Sequence, residues 1–373
     1  MLKSLVLENF RNYRGLKLAF DKPKGLTYLI GDNGQGKTNI LEAIYMLALA
    51  KSFRQADEEN LIRWQEEFGR IKGKFGNGRE QELEIFLGKA PNPRRTFKLN
   101  DVKTSATNFV GQIRVVFFHP EDLNMLYLGP DLRRRYLDIL ILQKSRPYFA
   151  ALRKYRRLRE QRNALLTSIR DRLAGEEDLE VWDGQLVREG AILWRERAAA
   201  LAFINERLSG KYAEISKTKH NLELRYINSL NLEFPLLAAT SNLEEIFAEE
   251  LWKSRQRDIA SGHTQVGPHR DDIVFHLEGI PIVRHASRGE FRTILLALKL
   301  IEMEYFNEDG LEPILLLDDV FSELDHERQH FLLERVVNYQ TFIATTKDSA
   351  VINQEKLLAG DFVEVVGGRA ARI

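Results

Sequence analysis

The stretch that most restricts how this chain can fold lies at residues 26–48. An apolar run over residues 26–30 ends at Gly31, and apolar residues return at helical spacing as Ile40, Leu41, Ile44, Tyr45, Leu47 and Ala48. Between them stands Gly31-Asp32-Asn33-Gly34-Gln35-Gly36-Lys37-Thr38. A buried strand turning into a helix through such a loop fits the pattern G-x-x-x-x-G-K-[ST]. In that pattern the glycines let backbone N–H groups close around phosphate oxygens at the positive end of the helix. Lys37 is then placed to reach the outer phosphates of a nucleotide, and Thr38 to offer its hydroxyl to Mg²⁺. An ordinary glycine-rich turn is the simpler alternative, and the strand before it and the helix after it argue against it.

A loop of this kind needs a carboxylate to hold the metal's water shell, and the usual place is the end of a neighbouring apolar strand. Leu315-Leu316-Leu317-Asp318-Asp319 supplies one, following Pro313 and apolar on both faces as a central parallel strand is. Asp318 is the candidate for Mg²⁺; Asp319, one residue on and differently directed, is the candidate for polarising an attacking water. The two halves of the site lie near opposite ends of a 373-residue chain, so everything between them must leave the sheet and return to it.

At roughly 150 residues per domain the length suggests about two domains. Leu16, Leu18 and Phe20 alternate as a strand does, and Asn77-Gly78 sits between two strand patterns as a hairpin turn. From Asp131 to about Ser216 the chain is rich in Arg, Glu, Leu and Ala. Trp182, Leu186, Gly190, Leu193, Arg197, Leu201, Ile204 and Leu208 mark one side of a long helix, and Tyr155, Leu158, Leu165 and Ile169 another before it. Gly175-Glu176-Glu177-Asp178 joins them as an antiparallel pair. Ser241 with Glu244, and Ser287 with Glu290, have capping-box spacing at helix starts; Ile273, Phe275 and Leu277 read as a strand, and 341–344 as a neighbour of the strand at 314–317. The expected fold is α/β, with residues 1–127 and 262–373 forming a split head around a mixed central sheet and residues 128–261 an inserted α-helical lobe.

Composition narrows the chemistry. The 44% apolar and 29% charged residues are those of a soluble globular protein, and the absence of cysteine excludes disulfides, thiol catalysis and thiolate metal sites, which suits a reducing cytoplasm. Glu8 and Asn9 interrupt the first apolar run too early for an export signal, and no run approaches the roughly 20 residues that span a bilayer, so no membrane is expected. The formal charge of +1 hides an asymmetry: between Arg133 and Arg162 there are eleven Lys or Arg against two acidic residues. Such a stripe holds DNA through its phosphates without reading bases, with Arg153, Lys154, Arg156, Arg157, Arg159 and Arg162 as candidate contacts. The competing reading is a solvated helical face paired to nearby carboxylates. His269 reads as structural, Arg270 and Arg11 as residues that could approach phosphate, and the four tryptophans as core.

Several short stretches together resemble one family. Ser287-Arg288-Gly289-Glu290 resembles the signature motif of ABC-type ATPases and Ser322-Glu323-Leu324-Asp325 their D-loop; Thr345-Thr346 stands where their switch residue stands. Phe10-Arg11-Asn12-Tyr13 resembles the amino-terminal motif of the SMC/Rad50-like branch. Lys51-Ser52-Phe53-Arg54, Pro120-Glu121-Asp122-Leu123, Gly129-Pro130, Arg133-Arg134-Arg135-Tyr136-Leu137-Asp138 and Gly267-Pro268-His269-Arg270-Asp271-Asp272 extend the likeness from end to end, to the recombination mediators of that branch. The resemblance implies an ABC-type ATPase head that binds ATP and Mg²⁺ between two subunits. Residues 31–38, Arg11, Asp318 and Asp319 would come from one subunit, and Ser287, Gly289 and Asp325 from the other. It further implies weak, DNA-stimulated ATP hydrolysis coupled to a homodimer. The chain would act with RecR and RecO at single-strand gaps in recombinational repair, replication-fork recovery and SOS induction.

Three departures accompany it. Glu290 stands where Gln is common, Asp319 is one methylene shorter than the Glu of transporter ATPases, which implies slow turnover, and the family's glutamine loop has only Gln112 or the stretch 118–122 to supply it. Two other classes of function fit parts of the chain: the ATPase subunit of a transporter or other ABC-type machine, and a kinase or nuclease built on a nucleotide-binding head.

Overall fold

Alternating apolar residues open the chain as strands, as their period requires. The first half contains β1 (Leu2–Phe10), β2 (Tyr13–Ala19), β3 (Gly25–Ile30), α1 (Lys37–Leu49), β4 (Phe68–Asn77), β5 (Arg79–Gly88), β6 (Arg94–Leu99), β7 (Val102–Thr104) and β8 (Val115–Phe118). Helices dominate next: α2 (Pro130–Leu142), α3 (Arg146–Arg170) and α4 (Leu179–Ser216), then β9 (Leu222–Ile227), α5 (Leu243–Ser261), β10 (Asp272–Leu277) and β11 (Ile280–Pro281). The chain then forms α6 (Arg288–Asn307), β12 (Ile314–Asp318), α7 (His326–Val336), β13 (Gln340–Thr345), β14 (Gly360–Val366) and β15 (Arg369–Arg372). This computed structural model describes residues 1–22, 24–54, 58–77, 79–89, 94–233, 237, 240–346 and 360–373. The chain divides into two compact units, Met1–Asp122 with Lys299–Ile373, and Leu123–Leu298.

The first unit holds two six-stranded sheets. One is antiparallel in the order β2-β1-β4-β5-β6-β7; the other runs β15-β14-β3-β13-β12-β8, parallel except for β15. β13 lies between the two strands that carry the site, pairing Thr341 with Leu26 of β3 and with Leu315 of β12. α1 packs on β4 and β5 of one sheet and on β8, β12 and β13 of the other. A helix covered on both sides must be apolar nearly all round, which is why residues 40–49 are almost wholly buried. β4 and β5 pair with Asn77 opposite Arg79, while Gly78 of the expected hairpin turn lies outside the described residues.

In the second unit the expected helical pair is α3 and α4, 25 and 38 residues long. Pairing of Arg162 with Asp183, Lys154 with Glu189 and Tyr148 with Arg197 shows that they run antiparallel. The unit continues to Leu298, beyond the boundary expected at 261, because β10 pairs along its whole length with β9. The segment 287–290 therefore falls in this unit.

Two local expectations are corrected. α5 has no side-chain cap at Asn242; Glu244 and Glu245 in its first turn favour the helix dipole instead of closing a box with Ser241. The tryptophans divide. Trp194 is fully buried, its Nε1 donating to Asp271 at 2.6 Å, whereas Trp64 is 82% exposed and Trp252 63%. No helix among the described residues is long and apolar enough to cross a membrane.

Candidate functional site

The loop between β3 and α1 takes its shape from backbone freedom and close contact. Gly36 has φ 119°, and a Cβ there would meet the Asn12 amide and the Tyr13 hydroxyl at 2.7–2.8 Å; a Cβ on Gly31 would fall 2.2 Å from the Val365 carbonyl oxygen. Four hydrogen bonds then hold the loop. Asn12 Nδ2 donates to the Gln35 carbonyl (2.8 Å) and the Tyr13 hydroxyl to the Gly36 carbonyl (3.1 Å). From the other side the Gly367 amide donates to Gln35 Oε1 (2.6 Å) and the Gly368 amide to the Gln35 carbonyl (3.3 Å). The Asn12-Tyr13 part of the amino-terminal motif is thus a scaffold for the loop.

A cavity of about 460 Å³ opens at the start of α1, lined by Asn33, Gly34, Lys37 and Thr38 on one side and Asp318, Asp319 and Thr346 on another. Lys37 Nζ donates to the carbonyls of Gly31 (2.6 Å) and Asp32 (2.8 Å), and Thr38 Oγ1 to Asp318 Oδ1 (2.9 Å). Burial pushes the Asp318 carboxyl above its ordinary range, against the Thr38 hydrogen bond, and pushes the Lys37 ammonium below its own, against the pull of Asp319, Asp318 and Asp32. Asp319 sits in the left-handed region with φ 53°, its amide donating to the Ala344 carbonyl (3.1 Å). Asp tolerates that conformation better than most residues, and the Asp319 side chain is exposed at the rim of the cavity that Asp318 also lines. The donors fit the groups in question. First-turn amides without helical partners and a buried lysine suit a phosphate chain, and a hydroxyl 2.9 Å from a buried carboxylate suits a hard cation.

Arg11 is not part of this lining. Its guanidinium grips the fully buried Glu42 of α1 through two bonds (2.8 and 2.6 Å) and the Asn60 carbonyl (2.9 Å), because a carboxylate inside an otherwise apolar helix needs a cation. Arg54 reaches the cavity instead, bonded to Asn39 Oδ1 (2.8 Å) and 3.5 Å from Glu42. At the end of β8, His119 also lines it. Its Nδ1 accepts from the Glu121 amide (3.2 Å), so Nε2 carries the hydrogen, 3.8 Å from Asp318 Oδ2. Gln112 lies elsewhere, donating to the Asn108 carbonyl. The Lys51–Arg54 motif thus ends in a cavity residue, and the stretch 118–122, unlike Gln112, brings His119 and Pro120 to the cavity.

At the start of α6 the capping box forms in full. The Ser287 amide and hydroxyl donate to Glu290 Oε2 (2.7 and 2.8 Å) and the Glu290 amide returns a bond to Ser287 Oγ (3.3 Å). The Ser287 amide, with its hydroxyl, holds the Glu290 carboxyl below its usual range. Ser287 is exposed, and a Cβ on Gly289 would lie in ordinary contact with Ser287 Oγ at 3.9 Å. Asp325 caps α7 through the Arg328 amide (3.0 Å).

The basic stripe separates by depth. Arg162 is fully buried, bonded to Asp183 (2.6 Å) and Asp258 (2.7 Å), so its expected role as a DNA contact is corrected: α4 and α5 enclose it. Lys154 pairs with Glu189 and Arg156 with Asp138, both remaining exposed, as are Arg153 and Arg157; Arg159 is half-buried. Arg270 turns to the Thr264 carbonyl (3.0 and 3.2 Å).

The RecF/RecN/SMC N terminal domain matches residues 1–364. A DNA replication and repair protein RecF of Bacillus cereus (strain G9842) is 37% identical over 371 residues, 98% of this chain and 97% of that protein. This chain belongs to the RecF family. A RecF of Bacillus mycoides (strain KBAB4) is 36% identical over the same extent. A solved structure of the recombination mediator protein RecF-ATPrS in the RecFOR pathway matches with TM-score 0.89 at 32% identity, covering 100% of this chain and 98% of that one. An Smc head bound to the C-winged helix domain of ScpA matches with TM-score 0.55 at 14% identity, covering 100% and 97%. The fold is thus the SMC/Rad50-like ABC ATPase head with a mixed sheet, and RecF family members with it are DNA replication and repair proteins.

Proposed function

We propose that this chain is an ATP-dependent DNA-binding recombination mediator that closes as a homodimer around two ATP molecules, clamps DNA and releases it on slow hydrolysis. The observation that carries this reading is that Lys37, Thr38, Asp318 and Asp319 meet around one cavity in a RecF family chain. The α1 amides and Lys37 bind the phosphate chain. Thr38 and Asp318 hold Mg²⁺, which supplies neutralisation of phosphate charge. Asp319 polarises the attacking water and accepts its proton. Arg54 and His119 position the groups around them, the first tied to Glu42 and the second with Nε2 3.8 Å from Asp318. The partner subunit completes each site with its own exposed start of α6, at Ser287 and Gly289, and with Asp325; hydrolysis accordingly rises with dimerisation and with DNA.

RecR and RecO are the partners this reading implies, at single-strand gaps where RecA replaces single-strand-binding protein, in repair, fork recovery and SOS induction. The relatives named for the RecFOR pathway support it, as does the ATP in those structures.

Sedimentation of wild type, Lys37→Met and Ser287→Arg with and without ATP-Mg²⁺, followed by DNA binding on the same samples, tests the reading. ATP is expected to dimerise wild type only, with tight DNA binding appearing alongside the dimer. A wild type that stays monomeric at saturating ATP, or three proteins that bind DNA equally, would overturn the clamp.

A further inference from the structure

The second unit contains a cavity of its own, about 220 Å³, walled by Arg134 and Arg135 of α2, Arg156 and Arg159 of α3, and Arg197 of α4. Two carboxylates, Asp131 and Asp138, face the same space. They do not balance it. Asp138 already accepts from Arg156 Nη2 and Arg197 Nη2, both at 2.9 Å, and from the Tyr148 hydroxyl. Asp131 accepts from Arg134, Arg197 also lies 3.6 Å from the buried Asp271, and Arg159 has no ion pair among the described residues.

His269 stands in the same wall. Its Nε2 lies 3.0 Å from the Thr264 carbonyl, which only accepts, so Nε2 holds the hydrogen and Nδ1 accepts the Tyr155 hydroxyl at 2.8 Å. Burial, with Arg159, Arg270 and Arg134 nearby, pushes its pKa down to about 3. The wall is also fixed in place: Gly267 has φ 140°, and a Cβ there would lie 2.1 Å from the Tyr155 oxygen, so the 267–269 turn is pressed against α3.

We propose that this cavity is a phosphate site, filled by one backbone phosphate of a DNA strand lying along the exposed Arg153 and Arg157 of α3. A guanidinium in a rigid concave wall with no carboxylate paired to it, as Arg159 is among the described residues, is the chemistry that recognises a phosphate oxygen, and its planar fork adds direction to the attraction. The proposal rests on the DNA-binding reading; a free phosphate has the same chemistry and is separated from it by experiment.

The test uses the full chain with ATP-Mg²⁺ and fluorescence anisotropy on gapped DNA over a series of salt concentrations. Arg159→Ala is expected to weaken binding about tenfold and to lower the slope of log affinity against log salt by about one contact, with Arg159→Lys recovering part of the loss. Arg188→Ala, on an exposed position of α4 outside the cavity, changes affinity less than about twofold. A second arm compares Lys37→Met with Lys37→Met/Arg159→Ala in thermal unfolding with inorganic pyrophosphate. Stabilisation lost in the double variant, with DNA affinity unchanged, identifies a free phosphate as the occupant. Unchanged DNA affinity and unchanged pyrophosphate response would overturn the site. Should wild type fail to bind DNA at all, the clamp reading fails while the pyrophosphate arm still decides the cavity.

Discussion

The loop before α1 and the basic face of α3 both gather positive potential for an anion, and they hold it by different means. In the loop it comes from main-chain amides at a helix start and one lysine, and the glycines of the loop, above all Gly36, permit the shape that its neighbours hold. On α3 it comes from side chains alone, and what each one does is decided by distant partners. Arg162 meets Asp183 and Asp258, 21 and 96 residues further along the chain, and disappears into the core; Arg157 meets none of the described carboxylates and stays outside. A site built from the backbone is therefore legible where it is written. A site built from side chains becomes legible only once the packing is known.

This contrast can be broken most forcefully at the carboxylate end of the loop site. Asp319→Asn is expected to slow single-turnover ATP hydrolysis about 10²- to 10⁴-fold while calorimetry shows ATP affinity within about twofold of wild type. An equal loss of binding and turnover would mean that Asp319 supports the loop and does no proton chemistry.

Next in size is the division within α3. Arg162→Ala leaves Asp183 and Asp258 facing a gap, and Asp258 already has its carboxyl pushed up by burial despite the Arg162 bonds, so urea unfolding should register a loss of about 3–5 kcal/mol. Arg157→Ala should stay within about 0.5 kcal/mol. Equal effects from the two substitutions would show that depth does not separate the stripe.

The smallest effect is a slope. His269 stays neutral in the folded state to about pH 3, whereas an unfolded histidine takes up its proton near pH 6.5. Between those values the unfolded chain binds more protons, so stability falls as pH is lowered, by about 1.4 kcal/mol per unit from this residue. The pH dependence of unfolding for wild type and His269→Gln should differ by that slope between about pH 6 and 4; parallel curves would place the ring in a more solvated setting.

The strand, loop and helix at 26–48 and the carboxylates after 317 were legible because each pattern is local and carries its own physical reason. Arg11 was not. Seen alone it is an arginine near a phosphate loop; only the burial of Glu42, on a helix covered by two sheets, shows which anion claims it. Arg54 fills the cavity position for the same reason, since Glu42 anchors it from behind at 3.5 Å. The end of the helical unit was misjudged because β9 and β10, more than forty residues apart in sequence, are too short to announce that they pair. The Ser241 box failed and the Ser287 box formed although their spacing is identical, so spacing alone proposes a cap and backbone geometry disposes of it.

Gln35 is held by Asn12 on one side and by Gly367 and Gly368 on the other, and β3 is flanked by β13 and β14. During synthesis the ribosome releases the loop early and the strands that seat it only after Gln340 has emerged. For most of that time the loop has Asn12 and Tyr13 beside it but lacks Gly367 and Gly368 on its other side. A nucleotide that binds only the folded loop therefore stabilises the docking of β14 as well, although neither Gly367 nor Gly368 lines the cavity.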